Sequence, residues 1–228
     1  MAVRLRYDFK QSVDDTLDIY LYSDIEPPWE DMWTGERHDE GSADRFRRML
    51  DGYPSARRIR LYVNSDGGDV KEGYGIYAML KRHPAHKVAF VDGIAASIAS
   101  IICMAADEIV MYRNAMMVIH NMSCGVYGNA AELRKAADDL DKIMEGNRQV
   151  YLSRAGEKLS EEELTKMLDK ETWLTAIEAQ GFGLCDHVAD EPADREITAQ
   201  QRQALNRLNR FYESRKPEKK RTLKFINL

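Results

Sequence analysis

The chain has 228 residues, 44% hydrophobic and 31% charged, with 33 Lys+Arg against 38 Asp+Glu and a formal net charge of −5. This is the composition of an ordinary globular protein able to bury a sizeable core, with too little net charge to argue by itself for a nucleic-acid partner. Three widely spaced cysteines, Cys103, Cys124 and Cys185, form no CxxC pair, which fits a reducing compartment better than a disulfide framework.

The N-terminus MAVRLRYDFK is charged and lacks an apolar core, so no signal peptide is expected. The longest apolar stretch, near Gly93 to Ala106, is too short and too rich in small residues for a membrane span. The expectation is a cytoplasmic protein with no membrane contact.

In chain order, LDIYLYSDI (Leu17 to Ile25) alternates as a strand, with Ile19 and Leu21 on one side. EPPWEDMWTGERHDEGS follows as a polar loop. SADRFRRMLDGY (Ser42 to Tyr53) predicts a helix with Ser42 as N-cap and Phe46, Met49 and Leu50 as its apolar stripe. RIRLYVNS (Arg58 to Ser65) predicts a strand that stops at DGGD. VKEGYGIYAMLKRH (Val70 to His83) predicts a helix ended by Pro84. KVAFVDG (Lys87 to Gly93) reads as a strand, AASIASIICMAAD as a helix, and EIVMY and MMVIHNM as short strands about a turn at Arg113–Asn114.

Alternating strands and helices from Arg58 onward imply an α/β fold with a largely parallel sheet. Sites in such folds form where strands end and helices begin. NSDGGD and VDGIAAS are both junctions of that kind. A long helix over Gly128 to Ser153 carries a stripe of Leu133, Ala137, Leu140, Met144 and Tyr151. It is longer than a small sheet needs, so an overhang onto a neighbouring subunit is expected. Two shorter helices start with capping-box signatures, Ser160 to Glu163 and Thr175 to Glu178. Beyond Asp190 the composition changes: from Arg202 onward nine basic residues face two acidic ones. That segment reads as an amphipathic helix (Ala204, Leu205, Leu208, Phe211) with a solvated tail, or as a tether for an acidic partner. The domain division is 1–16 as an N-terminal segment, 17–190 as the main domain and 191–228 as a basic helical extension.

Two hydroxyls, Ser97 and Ser100, interrupt the small apolar run GIAASIASIICMAAD. A serine at a helix start has orphan backbone N–H groups beside it, suited to an oxyanion in acyl transfer. Serine is a weak nucleophile without a base. His120, at the end of MMVIH, is the candidate, although a lone histidine at a strand end is more often structural. NSDGGD reads as a phosphate nest, an ordinary tight turn, or an oxyanion and peptide-binding loop. No Walker lysine follows it and no GxGxxG is present. The third reading explains both junctions at once. Asp169 and Glu171, in MLDKETWLTA, are carboxylates that could orient His120.

Taken in order, NSDGGDV, GIYAMLKRH, VDGIAASIAS, MVIHNM, GNAAELRK and ETWLTAIEAQGFGLCD resemble the Clp-type serine peptidases, over about Leu17 to Val188. The resemblance implies the crotonase/ClpP-like fold of repeated ββα units with a protruding handle helix, here Gly128 to Ser153. It implies Ser97 as nucleophile, His120 as general base and Glu171 as the acid, where housekeeping members carry aspartate, with Asp169 as the rival. The backbone N–H groups of Gly68 and Ile98 become the oxyanion donors, beside Gly67. No metal or organic cofactor is implied.

Proline commonly stands where Asp66 does, and HNM replaces a histidine-glutamine-proline run. Both departures point to the phage and prophage branch, whose members mature heads by cutting capsid or scaffold proteins. The implied partners are protein or peptide substrates and further copies of the chain in a ring, commonly a heptamer or stacked double ring, in the host cytoplasm. An ATPase partner stays open. The competing readings are a catalytically weak ring or scaffold component and a crotonase-type acyl-CoA hydratase or isomerase.

Overall fold

The computed structural model of the chain describes residues 8–11 and 15–190. The basic extension 191–228 lies outside the described residues, as does most of the N-terminal segment. The central sheet is mixed. Strands β1 (Asp8–Gln11), β2 (Thr16–Leu21), β5 (Arg58–Ser65), β6 (His86–Ala96), β7 (Glu108–Tyr112) and β10 (His187–Ala189) lie side by side in the order β1-β2-β5-β6-β7-β10. All neighbours on this path are parallel except β1, which pairs antiparallel with β2 along the edge. Within the segment read as a polar loop, β3 (Trp29–Glu30) and β4 (Arg37–His38) make a small hairpin closed by stacking of Trp29 on His38.

The alternating apolar residues dictate the sheet's buried face. Leu17, Ile19 and Leu21 of β2, Ile59, Leu61 and Val63 of β5, and Ala89 and Val91 of β6 are almost wholly buried. Each of the larger aliphatic side chains contributes about 1.5–3 kcal/mol by leaving water. Helix α1 (Ala43–Leu50) packs Phe46 and Leu50 inward. Ser42 caps it as expected, accepting from the Arg45 N–H, and the buried Glu72 carboxylate takes the Ala43 N–H at 2.8 Å. Helix α2 (Val70–Arg82) starts at Asp69, whose side chain accepts from the Glu72 N–H. α2 buries Ile76 and Leu80.

One expectation is corrected. The helix read from Ala95 onward is shorter: β6 continues through Gly93 to Ala96, and only Ile98–Cys103 form α3. Alanines favour helix in isolation. Here tertiary pairing overrides that preference, because β6 changes neighbour partway along. Val88–Val91 pair with β7, whereas Ile94–Ala96 pair in parallel with β8 (Met116–Ile119). The extra strand length carries the chain to Ser97 in register with β8.

Helix α4 (Ala130–Ala155) begins at Asn129 with a complete capping box to Glu132. Only its second half packs, through Met144, Asn147, Tyr151 and Ala155. Its first half stands off, leaving Leu133 46% exposed, in agreement with the expected overhang, and Ile143 near the middle is 40% exposed. A 3-10 turn at Gly156–Lys158 leads to α5 (Glu161–Asp169), then β9 (Thr172–Thr175) and α6 (Ala176–Gly181). The Thr175–Glu178 capping box is complete. At α5 only half of the box forms, with Ser160 accepting from the Glu163 N–H. β9 runs antiparallel to β8 and completes the sheet.

Candidate active site

Two paired strand ends build the site. Ser97 follows β6 directly and His120 follows β8 directly. Ala96 lies opposite Val118, and the Ser97 N–H donates to the Val118 carbonyl at 2.9 Å, so the pairing extends to Ser97 itself. Both side chains therefore leave the sheet at the same C-terminal edge, and both are partly buried.

Ser97 has φ 54° and ψ −129°, outside the helical and extended regions that L-residues favour. Strain of this kind persists only where the surroundings enforce it. The pairing of β6 with β8 on one side and the start of α3 on the other leave the chain no room to relax. A sharp strand-to-helix turn of this type pushes a serine hydroxyl clear of its own backbone. The Ser97 hydroxyl has no hydrogen-bond partner among the described residues.

Ser100, the other hydroxyl of the run, is fully buried. Its Oγ donates to the Ser97 carbonyl at 2.6 Å and lies 2.6 Å from the Tyr151 hydroxyl of α4. It is thus consumed in packing and in bracing the turn that carries Ser97.

The NSDGGD loop closes over the same place. Ser65 anchors it: its hydroxyl donates to the Ser23 carbonyl at 2.7 Å and accepts from the Gly67 N–H at 3.1 Å. Gly67 (φ 93°) passes so close to Ser97 that a side chain would not fit, since a Cβ there would lie 2.7 Å from the Ala96 carbonyl oxygen. Gly68 (φ 138°) bridges to Ile25. The flanking groups are used, with the Ile25 N–H donating to Gly67 O and the Asp69 N–H to Ile25 O. The N–H groups of Gly68 and Ile98 have no acceptor among the described residues. Ile98 follows the serine directly and Gly68 follows Gly67, which packs against it, and a carbonyl that develops negative charge needs free donors of that kind.

His120 Nδ1 lies 2.7 Å from the main-chain carbonyl of Asn121. A carbonyl only accepts, so Nδ1–H is the donor in this contact. Nε2 is not bonded to Ser97 or to any other described residue; such contacts are often long until substrate binds. Of the two candidate carboxylates, Asp169 ends α5 and Glu171 lies in the turn before β9. Asp169 accepts from the Asn121 side-chain amide at 2.7 Å. Ile119 lies opposite Thr172, which brings Glu171 alongside His120 along the backbone. Glu171 has φ 50°, its side chain is exposed, and its carboxylate has no partner among the described residues.

Sequence reasoning missed two residues here. Asn121 joins the histidine to the α5–β9 turn, and Ser65 braces the glycine loop. Neither carries a sequence signal, because both act through contacts with residues distant in the chain. Among the described residues no group of three or more His, Cys, Asp or Glu converges as a metal site.

Comparisons with known proteins identify the family and the fold. The family model for Clp protease matches residues 34–192. ATP-dependent Clp protease proteolytic subunit 1 of Streptomyces avermitilis is 30% identical over 173 residues, 74% of this chain and 79% of that protein. Proteolytic subunit 2 of Corynebacterium glutamicum is 30% identical over 142 residues, 61% of this chain and 70% of that protein. A ClpP1 mutant from Listeria monocytogenes has the same fold, with a TM-score of 0.62 at 21% identity, covering 76% of this chain and 91% of that one. With a serine at a strained strand–helix turn, a histidine on the paired strand end and a glycine loop against the serine, the chain belongs to the Clp protease family and is a serine-type endopeptidase with the ClpP, crotonase-like fold.

Proposed function

We propose that Ser97 is the nucleophile of this peptidase, that His120 is its general base, and that its natural substrates are capsid or scaffold proteins of a phage head. The observation that carries the catalytic reading is the backbone of Ser97, held at φ 54° on the strand edge that also carries His120. The reaction follows from the atoms at hand. The lone pair on His120 Nε2 takes the Ser97 hydroxyl proton as Oγ bonds to the scissile carbonyl carbon. The N–H groups of Gly68 and Ile98, with the Gly67 backbone alongside, hold the oxyanion. Nε2–H then protonates the leaving amine as the C–N bond breaks, and water hydrolyses the acyl-serine by the same route. Family resemblance implies a carboxylate behind His120, Glu171 by alignment with Asp169 as its rival.

The phage reading rests on Asp66 in NSDGGD and on HNM in place of the housekeeping pattern. A ring of copies is supported by the relatives' description as proteolytic subunits and by the exposed apolar residues Leu133 and Ile143 of α4. Residues 17–190 form the peptidase domain in this proposal, and the basic extension 191–228 is an amphipathic helix with a solvated tail or a tether for an acidic partner. The assembly works in the host cytoplasm; among the described residues no helix is long and apolar enough to cross a membrane.

One observation favours a second reading, a ring component of weak catalysis: the Glu171 side chain is exposed and unbonded to His120. Fluorophosphonate labelling read by intact mass separates the two. The expected result is one adduct on the wild type and none on Ser97→Ala or His120→Ala. An unlabelled wild-type oligomer would favour the scaffold. Cleavage of co-expressed capsid protein by the wild type, and none by Ser97→Ala, tests the substrate.

A further inference from the structure

We propose that Asn121 is a positioning residue for His120, and that Asp169 acts on the catalytic imidazole only through it. The inference rests on the reading of Ser97 and His120 given above and names what orients that base. The geometry is a short relay. The Nδ1–H of His120 donates to the Asn121 carbonyl at 2.7 Å. The Asn121 amide Nδ2 donates to Asp169 Oδ1 at 2.7 Å. The Asn121 N–H donates to the Leu168 carbonyl at 3.3 Å. One residue thus accepts from the histidine with its main chain and is tied at two points to the C-terminal end of α5.

That end of α5 is itself well braced. Leu168 O also accepts from the Glu171 N–H at 3.2 Å, and Thr172 Oγ1 donates to Met167 O at 2.7 Å. Leu168 and Leu164 anchor the helix in the core. The Asn121 carbonyl therefore has a fixed direction, and an imidazole bonded to it has a fixed tautomer and ring plane. Those are the two things a general base needs from its third partner. A main-chain carbonyl cannot be lost by mutation, but its direction depends on the side-chain tie to Asp169. Asp169 is exposed, and Asn121 brings its influence to the buried side of the site.

Glu171 is set up less well for direct contact. Its positive φ turns the chain at the start of β9, and its carboxylate points to no described partner. The exposed glutamate, which looks like a defect in a triad, leaves the imidazole held by another group.

The test uses the full-length oligomer. Single variants Asn121→Ala, Asp169→Ala, Asp169→Asn and Glu171→Gln, and the double variant of Asn121→Ala with Asp169→Ala, are compared for kcat and KM on a peptide and for the rate of fluorophosphonate acylation. Loss of orientation at a catalytic base costs on the order of 10–10²-fold. Asn121→Ala and Asp169→Ala are expected to lower kcat and acylation by that factor with KM unchanged. The double variant falls no further than either single one. Asp169→Asn, whose amide oxygen still accepts, recovers most of the loss. The Glu171→Gln loss is the smaller one.

Nitrogen NMR of the His120 ring adds a readout independent of turnover. The wild type should show the Nδ1-protonated tautomer and Asn121→Ala a mixture. A dominant Nε2-protonated tautomer in the wild type, additive losses in the double variant, or a Glu171→Gln loss exceeding that of Asp169→Ala would each overturn the proposal. Unchanged acylation in Ser97→Ala or His120→Ala would instead overturn the underlying reading of the site.

Discussion

Gly67 packs against Ser97 so closely that a Cβ at position 67 would lie 2.8 Å from the Ser97 Cβ. The loop after β5 and the turn after β6 are therefore one unit, and the absence of a side chain at 67 is a condition for the serine's position. Gly67→Ala should keep the fold at a cost of about 1–3 kcal/mol, from the positive φ and the contact. It should lower acylation by about 10²–10³-fold as the neighbouring Gly68 N–H moves off the proposed oxyanion position. Thermal melting and fluorophosphonate labelling rates check the two halves separately.

The strain at Ser97 has its own signature. Its φ and ψ suit glycine, so Ser97→Gly should be more stable than Ser97→Ala by about 1–3 kcal/mol, although both lack the proposed nucleophile. Urea unfolding at matched protein concentration reads the difference directly. Equal stability would mean that the turn relaxes in solution.

Burial pushes the Tyr151 phenol well above its ordinary value, against the opposing pull of its Ser100 hydrogen bond. Burial raises Tyr74 and Tyr77 as well. A raised phenol pKa favours the protonated form in the fold. Its contribution is fully present below the unfolded value near ~10 and is lost as pH rises beyond it, where only the unfolded chain sheds the proton. Tyr151→Phe should make the alkaline fall in stability shallower, by at most about 1.4 kcal/mol per pH unit. At neutral pH the lost hydrogen bond to Ser100 costs about 1 kcal/mol. Denaturant unfolding between about pH 9 and 11 tests the sign.

The exposed side of α4 offers Leu133 and Ile143 to another molecule. Leu133→Glu with Ile143→Glu should reduce the assembly's mass in light scattering while leaving the circular dichroism of the protomer unchanged, because neither side chain belongs to the core. An unchanged mass would place the contacts between copies elsewhere.

Local sequence was enough to determine the elements whose residues repeat with a clear period or carry their own caps. β5 spans Arg58–Ser65 as its alternation predicts, α1 starts after Ser42, and α6 closes its Thr175–Glu178 box. The order of the motifs determined the family and pointed to Ser97 and His120. Three things required the tertiary structure. Ala95 and Ala96 have helical propensity, and only the availability of β8 as a neighbour draws them into β6 and sets the register of Ser97. Ser100 and Ser97 are alike as residue types, and only the buried Tyr151 hydroxyl 51 residues away separates a packed serine from a free one. The group that holds His120 depends on where α5 ends against β8. Hydrogen bonds from Asn121 to Leu168 and Asp169 decide that, and no local pattern encodes contacts between residues nearly fifty positions apart.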